Sequence, residues 1–244
     1  MENMNKVTVL GVDFDNKSMS EFQNTFIERL NNRQSTFIVT ANPEIVMVAQ
    51  DDPDFMATIK RADYVTADGI GIVKAGKMLH TPLKERVAGF DLFMWFLNVA
   101  EKRGSRVYLI GAQPEVITCV REKLTLDYPS IELVGARDGY FKEDLNEIAN
   151  EIAATEPEMV FVALGFPRQE QLIDLMRING VPAMMMGVGG SFDVLAGAAK
   201  RAPKLMQDLH LEWFYRLIKN PSRFKRMLVL PKFVLEVKKR GDGE

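Results

Sequence analysis

The sequence predicts an α/β protein: a Rossmann-like, mostly parallel sheet with helices on both faces, followed by a basic helical appendage. Three observations carry this. Short β-branched and aromatic runs alternate with amphipathic stretches of helical period over the first 199 residues. Several runs end in polar or glycine-rich turns, as strands of a parallel sheet do where they open onto one rim. Charge is uneven: residues 200–240 hold 12 Lys/Arg against 3 Asp/Glu, although the whole chain has a net charge of only −2. We therefore read residues 1–199 as one α/β domain and 200–244 as the appendage.

Each element has a local reason. Residues 6–14 read as a first strand, closed by the turn pair Asp15-Asn16. Ser18 and Glu21 form a capping box, and Phe22, Phe26 and Leu30 give the next helix its apolar stripe. Residues 36–40 predict a strand, and Asn42-Pro43 an N-cap with proline at the first helical position; Asp52-Pro53 repeats that grammar. Tyr64-Val65-Thr66 is a strand broken by Ala67-Asp68-Gly69, after which residues 70–78 wind a helix. Residues 79–85 look irregular, and an apolar helix over 90–103 is closed by Gly104. Strands at 107–110, 132–134, 159–164 and 183–188 then alternate with helices beginning near Pro114, Glu143 and Pro167.

Composition removes several function classes. With 47% hydrophobic and 26% charged residues the chain is an ordinary globular protein, and its 244 residues suffice for one large core or two small ones. Cys119 is the only cysteine, which excludes an internal disulfide; His80 and His210 without a cysteine pair exclude a structural zinc site. No apolar run approaches the roughly 18 residues of a spanning helix, and the opening residues lack the pattern of a secretory signal, so a cytoplasmic protein is expected.

The turns at the strand ends are where chemistry is expected: Thr40-Ala41-Asn42, Ala67-Asp68-Gly69, Gly111-Ala112-Gln113, 165–169 and 187–191. Glycine lets a ligand approach the backbone, and helix N-termini offer free N–H groups to phosphate, so together they point to a nucleotide phosphate. The Gly-x-Gly-x-x-Gly spacing of a dinucleotide site and the Gly-Lys-Ser/Thr phosphate loop are both missing. Asp68 is either the chemical centre or a helix cap. Asp13 and Asp15 are either a divalent-metal pair or turn residues, and the turn is favoured. Without a metal, cations must hold a leaving diphosphate; Arg86, Arg168 and the tail arginines Arg216, Arg223 and Arg226 are the candidates, with a plain surface position the default for Arg168 and Lys84. Trp213, Phe214, Leu217 and Ile218 form a stripe beside Arg216 and Lys219. It suits an anionic membrane surface, or packing on the body.

The blocks Thr40-Ala41-Asn42-Pro43-Glu44, Ala67-Asp68-Gly69-Ile70-Gly71, Glu85-Arg86-Val87-Ala88-Gly89, Gly165-Phe166-Pro167-Arg168-Gln169-Glu170 and Gly187-Val188-Gly189-Gly190-Ser191, with Arg201-Ala202-Pro203 and Glu212-Trp213-Phe214-Tyr215-Arg216, resemble the WecG/TagA/CpsF glycosyltransferase family, in order and over nearly the whole chain. The tail looks closest to the TagA branch. The resemblance implies an inverting transferase without metal or other cofactor, moving N-acetylmannosamine from UDP to undecaprenyl-diphosphate-linked N-acetylglucosamine for wall teichoic acid. Asp68 would be the base; Thr40, Asn42, Arg86 and Gln169 would bind substrate; Gly111, Ala112, Tyr140, Gly187, Gly189, Gly190 and Asp193 would contact the nucleotide. Arg216, Arg223 and Arg226 would complete the site at the cytoplasmic face of the membrane. Expected partners are thus the UDP-sugar, the lipid-linked acceptor and the membrane, not nucleic acid; a homo-oligomer is left open. The alternatives are another donor, such as the uronic acid or glucose, and a non-catalytic nucleotide-binding module at the membrane.

Overall fold

The computed structural model describes residues 6–208, 212, 214–215 and 228–241. The first predicted strand is two. β1 (Lys6–Val9) and β2 (Val12–Asp15) form an antiparallel hairpin outside the main sheet. Its turn is Leu10-Gly11, with φ of 47° and 78°, the left-handed pair that a two-residue hairpin requires. Leucine at such a position gives no turn signal, which is why the residues read as one run. The hairpin is tied to the body through Asp15, whose buried carboxylate accepts the Val65 N–H at 2.8 Å, while Asp13 accepts the Thr8 hydroxyl at 2.6 Å. The two carboxylates therefore serve the hairpin separately and do not converge as a metal pair.

After α1 (Met19–Asn31), opened by the Ser18–Glu21 capping box, come β3 (Thr36–Ala41), α2 (Pro43–Asp51), α3 (Pro53–Lys60), β4 (Tyr64–Ala67), α4 (Ile70–Met78) and α5 (Gly89–Arg103). The second half holds β5 (Arg106–Gly111), α6 (Pro114–Asp127), β6 (Glu132–Arg137), α7 (Leu145–Ala154), β7 (Met159–Ala163), α8 (Arg168–Ile178), β8 (Met184–Gly187) and the short α9 (Ser191–Leu195). α10 (Lys204–Asp208) and α11 (Val229–Gly241) follow.

Six strands make one parallel sheet in the order β4-β3-β8-β7-β5-β6. Both faces are buried, so strand residues alternate between two cores rather than between core and water. Phe37, Val39, Val160, Val162 and Met185 enter one core, shared with α2, α3, α4, α7 and α8; Ile38, Met159, Phe161, Met184 and Met186 enter the other, shared with α1, α5, α6 and α9. The final helix belongs to the first core: Phe233 and Val237 are 1% and 0% exposed within it. Arg240 also reaches Gln50 at 3.0 Å, and Gln50 donates to the Leu10 carbonyl of the hairpin turn. Among the described residues no helix is long and apolar enough to cross a membrane.

The order of faces positions the site. α2 after β3 and α8 after β7 turn to one side; α9 after β8 and α6 after β5 turn to the other. Neighbouring strand ends thus send their chains apart, which opens a crevice over the carboxyl edge of the sheet.

Candidate active site

That crevice is a cleft of about 980 Å³, and the turns singled out in the sequence meet in it. Thr40 and Asn42 come from the end of β3, Asp68 from β4, Ala112 from β5, Tyr140 from beyond β6, Gln169 from α8, and Gly189, Gly190 and Asp193 from beyond β8. Arg86 reaches it from the segment before α5. Gly111 and Gly187 stand one residue behind this wall. Arg216, Arg223 and Arg226 lie outside the described residues, as do Trp213, Leu217, Ile218 and Lys219; Phe214, of that stripe, is exposed.

Asp68 is half-buried at the first position beyond β4, where its N–H donates to the Ala41 carbonyl at 2.9 Å. Gly69, with φ of 100°, turns the chain into α4 and occupies the N-cap position, and among the described residues no side chain caps that helix. The capping alternative for Asp68 is therefore not the one the fold uses. Beside it, Asn42 caps α2, its Oδ1 accepting from the Ile45 N–H at 3.0 Å. The two helix starts are pressed together: a Cβ on Gly71 would lie 2.7 Å from the Pro43 ring. The N-terminal ends of two helices thus stand beside Asp68 on the cleft wall, where their dipoles favour an anion.

Arg86 is set by its neighbours. The Val87 N–H donates to the Ala67 carbonyl at 3.0 Å, which ties the segment to the end of β4. Gly89, the first residue of α5, packs on Thr40, whose hydroxyl points to the Gly187 carbonyl at 3.4 Å. Arg86 pairs with Glu212, a residue that the resemblance blocks contain but to which no role had been given. Glu212 also meets Arg201, whose Nη1 lies 2.7 Å from Asp91 Oδ1. Arg168 is not a plain surface residue: its guanidinium lies 4.2 Å from the Phe141 ring centroid and donates to the Gly139 carbonyl at 3.1 Å, on the cleft wall. Lys84 stays at the surface, paired with Glu21 at 2.6 Å. Tyr140 is exposed and its hydroxyl is joined to the Gln113 side chain.

Gln169 is buried and shapes the glycine turn after β8. Its Oε1 accepts the Gly189 N–H at 3.2 Å and its Nε2 donates to Glu170 Oε1 at 2.7 Å. A Cβ on Gly187 would sit 2.6 Å from that Nε2, so only glycine leaves room for the amide. Glu170 Oε2 is buried with no partner among the described residues, and burial pushes the carboxyl up to about 7. From the ordinary carboxylate range to about pH 7 the unfolded chain releases a proton that the fold retains, so this group lowers stability as pH rises through that window. Above it the cost is complete, about 3 kcal/mol at most. Glu170→Gln should therefore be more stable than the parent at pH 8 by about 2 kcal/mol and nearly equal to it at about pH 4. Urea unfolding at both values reads this; equal pH slopes for the two proteins would refute it.

Fold and site together define a class: a Rossmann-like α/β protein with a phosphate-suited cleft at the carboxyl edge of its sheet, where the Asp68 carboxylate shares the wall with Arg86, Arg168 and Arg201. Comparison with known proteins is more specific. A model of the glycosyl transferase WecG/TagA/CpsF family matches residues 7–242, and the chain belongs to that family. It is 44% identical over 221 residues to the N-acetylglucosaminyldiphosphoundecaprenol N-acetyl-beta-D-mannosaminyltransferase of Bacillus spizizenii, covering 91% of this chain and 84% of that protein. Enzymes of the same name from Bacillus subtilis (40% over 238 residues, 97% of this chain and 92% of that protein covered) and Staphylococcus aureus (38% over 240 residues, 97% and 94%) are similar along most of their length.

Proposed function

We propose that this glycosyltransferase moves N-acetylmannosamine from UDP to N-acetylglucosamine on undecaprenyl diphosphate, in the linkage unit of wall teichoic acid. The observation that carries the reading is the meeting of Asp68 and Arg86 in one cleft, in a chain whose similar relatives bear the name of that reaction. Asp68 takes the proton of the acceptor's 4-hydroxyl as that oxygen bonds to the anomeric carbon of the donor. The bond from that carbon to the diphosphate oxygen breaks on the opposite side, its electron pair leaves with UDP, and one displacement inverts the centre. Arg86, helix N-termini and the tail arginines Arg216, Arg223 and Arg226 hold the developing charge, so the reading needs no metal ion. Thr40, Asn42 and Gln169 orient the sugars, and the turns at Gly111-Ala112, Tyr140 and 187–193 receive the nucleotide.

With a lipid-borne acceptor and a UDP-sugar donor, the reading has the enzyme docking peripherally at the inner face of the membrane. The outward side of α11 supports this, with Val234 and Leu235 exposed among Lys232, Lys238, Lys239 and Arg240.

The test is release of UDP from UDP-N-acetylmannosamine by the full chain, given a lipid-diphosphate acceptor, in EDTA. The uronic-acid and glucose donors serve as a panel. Turnover with N-acetylmannosamine at least about tenfold above the others is expected, the discrimination one well-made set of polar contacts supplies. Preference for another donor changes the substrate, and no release from any donor returns the chain to a nucleotide-binding module.

A further inference from the structure

Two arginines of the cleft converge on one carboxylate. Arg86 Nη2 donates to Glu212 Oε2, and Arg201 Nε lies 3.5 Å from Glu212 Oε1. Arg201 is steadied on its other sides by Asp91 at 2.7 Å and by the Phe90 ring, 4.9 Å from its guanidinium carbon. All three of Arg86, Arg201 and Glu212 line the cleft, with side chains 17%, 28% and 13% exposed. Arg86 Nε is buried and has no partner among the described residues. One carboxylate thus bridges two guanidinium groups and still leaves a buried donor unserved.

That is how an incomplete stand-in for phosphate behaves. A phosphoryl group brings more charge than a carboxylate and more acceptor oxygens, and guanidinium binds it in paired hydrogen bonds. We propose that Arg86 and Arg201 form a phosphate subsite whose internal occupant is Glu212, displaced when the diphosphate of a nucleotide enters. The proposal deepens the donor reading above and rests on it for the identity of the nucleotide. Exchange, rather than addition, follows from charge. With Glu212 in place, the charges of Arg86 and Arg201 are balanced by Asp91 and Glu212. A diphosphate arriving beside a retained Glu212 would set like charges against one clamp in a partly buried site, where repulsion is poorly screened. A carboxylate that merely holds the arginines in place makes the opposite forecast, since removing it would weaken anion binding.

Calorimetric titration of the full chain separates the two. The parent and Glu212→Gln are titrated with UDP, uridine and inorganic pyrophosphate, and melting curves verify that each is folded. If the internal pair is formed in about nine molecules of ten, Glu212→Gln tightens UDP and pyrophosphate about tenfold and leaves uridine unchanged. Glu212→Asp, which keeps the charge, stays between the parent and Glu212→Gln. Should the glutamine variant not fold, Arg201→Gln replaces it, with about tenfold weaker UDP and pyrophosphate and unchanged uridine expected. Pyrophosphate that binds Glu212→Gln no better than the parent, or binds no form at all, overturns the subsite. Pyrophosphate that tightens while UDP binds no form upholds the subsite and removes the UDP reading instead.

Discussion

Replacing Asp68 by asparagine is expected to slow sugar transfer by about 10²–10⁴ while leaving UDP affinity within about twofold of the parent, because a positioned base acts on the transition state rather than on the bound nucleotide. Asparagine matches aspartate in shape, keeps an acceptor oxygen and cannot take up a proton. The backbone at this position is fixed by the Ala41 hydrogen bond and by the Gly69 turn, neither of which involves the carboxylate, so the substitution leaves the strand end in place. Loss should fall on kcat, with KM for the donor little changed. Initial rates of UDP release, set beside calorimetric UDP binding, give both numbers. A variant that turns over at near the parental rate takes Asp68 out of the chemistry, whatever its position in the cleft.

The second large effect is on the fold. Gly111→Ala should destabilise by about 3–5 kcal/mol, the combined cost of a strained backbone and an overfilled core. Gly111 ends β5 with φ of 122°, and a Cβ there would lie 2.3 Å from the Ala163 carbonyl oxygen of β7. Neither strand end can retreat, because the Ala112 N–H donates to that same Ala163 carbonyl at 2.9 Å. Gly165 is the control: φ is 72°, but a Cβ would meet nothing within 4 Å, so Gly165→Ala carries only the left-handed backbone cost of about 1–2 kcal/mol. Urea unfolding of both variants isolates the clash; equal losses would mean that β5 and β7 spread apart and absorb the methyl group.

These two residues mark what was readable in the chain. Caps announced themselves: Ser18 with Glu21, Asn42 with Pro43, and Gly104 all work locally, within a few residues of sequence, and all stand where the pattern put them. The strand-end turns were legible for the same reason, and their meeting in one cleft follows from a parallel sheet. The order of the strands was not, since β8 separates β3 from β7 through contacts between residues more than a hundred apart. The hairpin was missed because Leu10 adopts a conformation its side chain does not advertise. Glu212 and Arg86 are 126 residues apart, and their pairing has no period or spacing to betray it. The burial of Glu170 was equally silent, since a glutamate set between Gln169 and Gln171 reads as the outside of a helix.

The socket that receives Phe233 and Val237 has a consequence during synthesis. One layer of the interior, begun by the earliest strands to leave the ribosome, is closed only when residues 229–241 arrive. Until then a nascent chain carries an open apolar seam on an otherwise assembled body, the kind of surface that holding chaperones protect. The helix that fills this socket also carries a basic outer side with Val234 and Leu235 exposed, so closing this core and, in the function proposed above, meeting the lipid fall to the same thirteen residues.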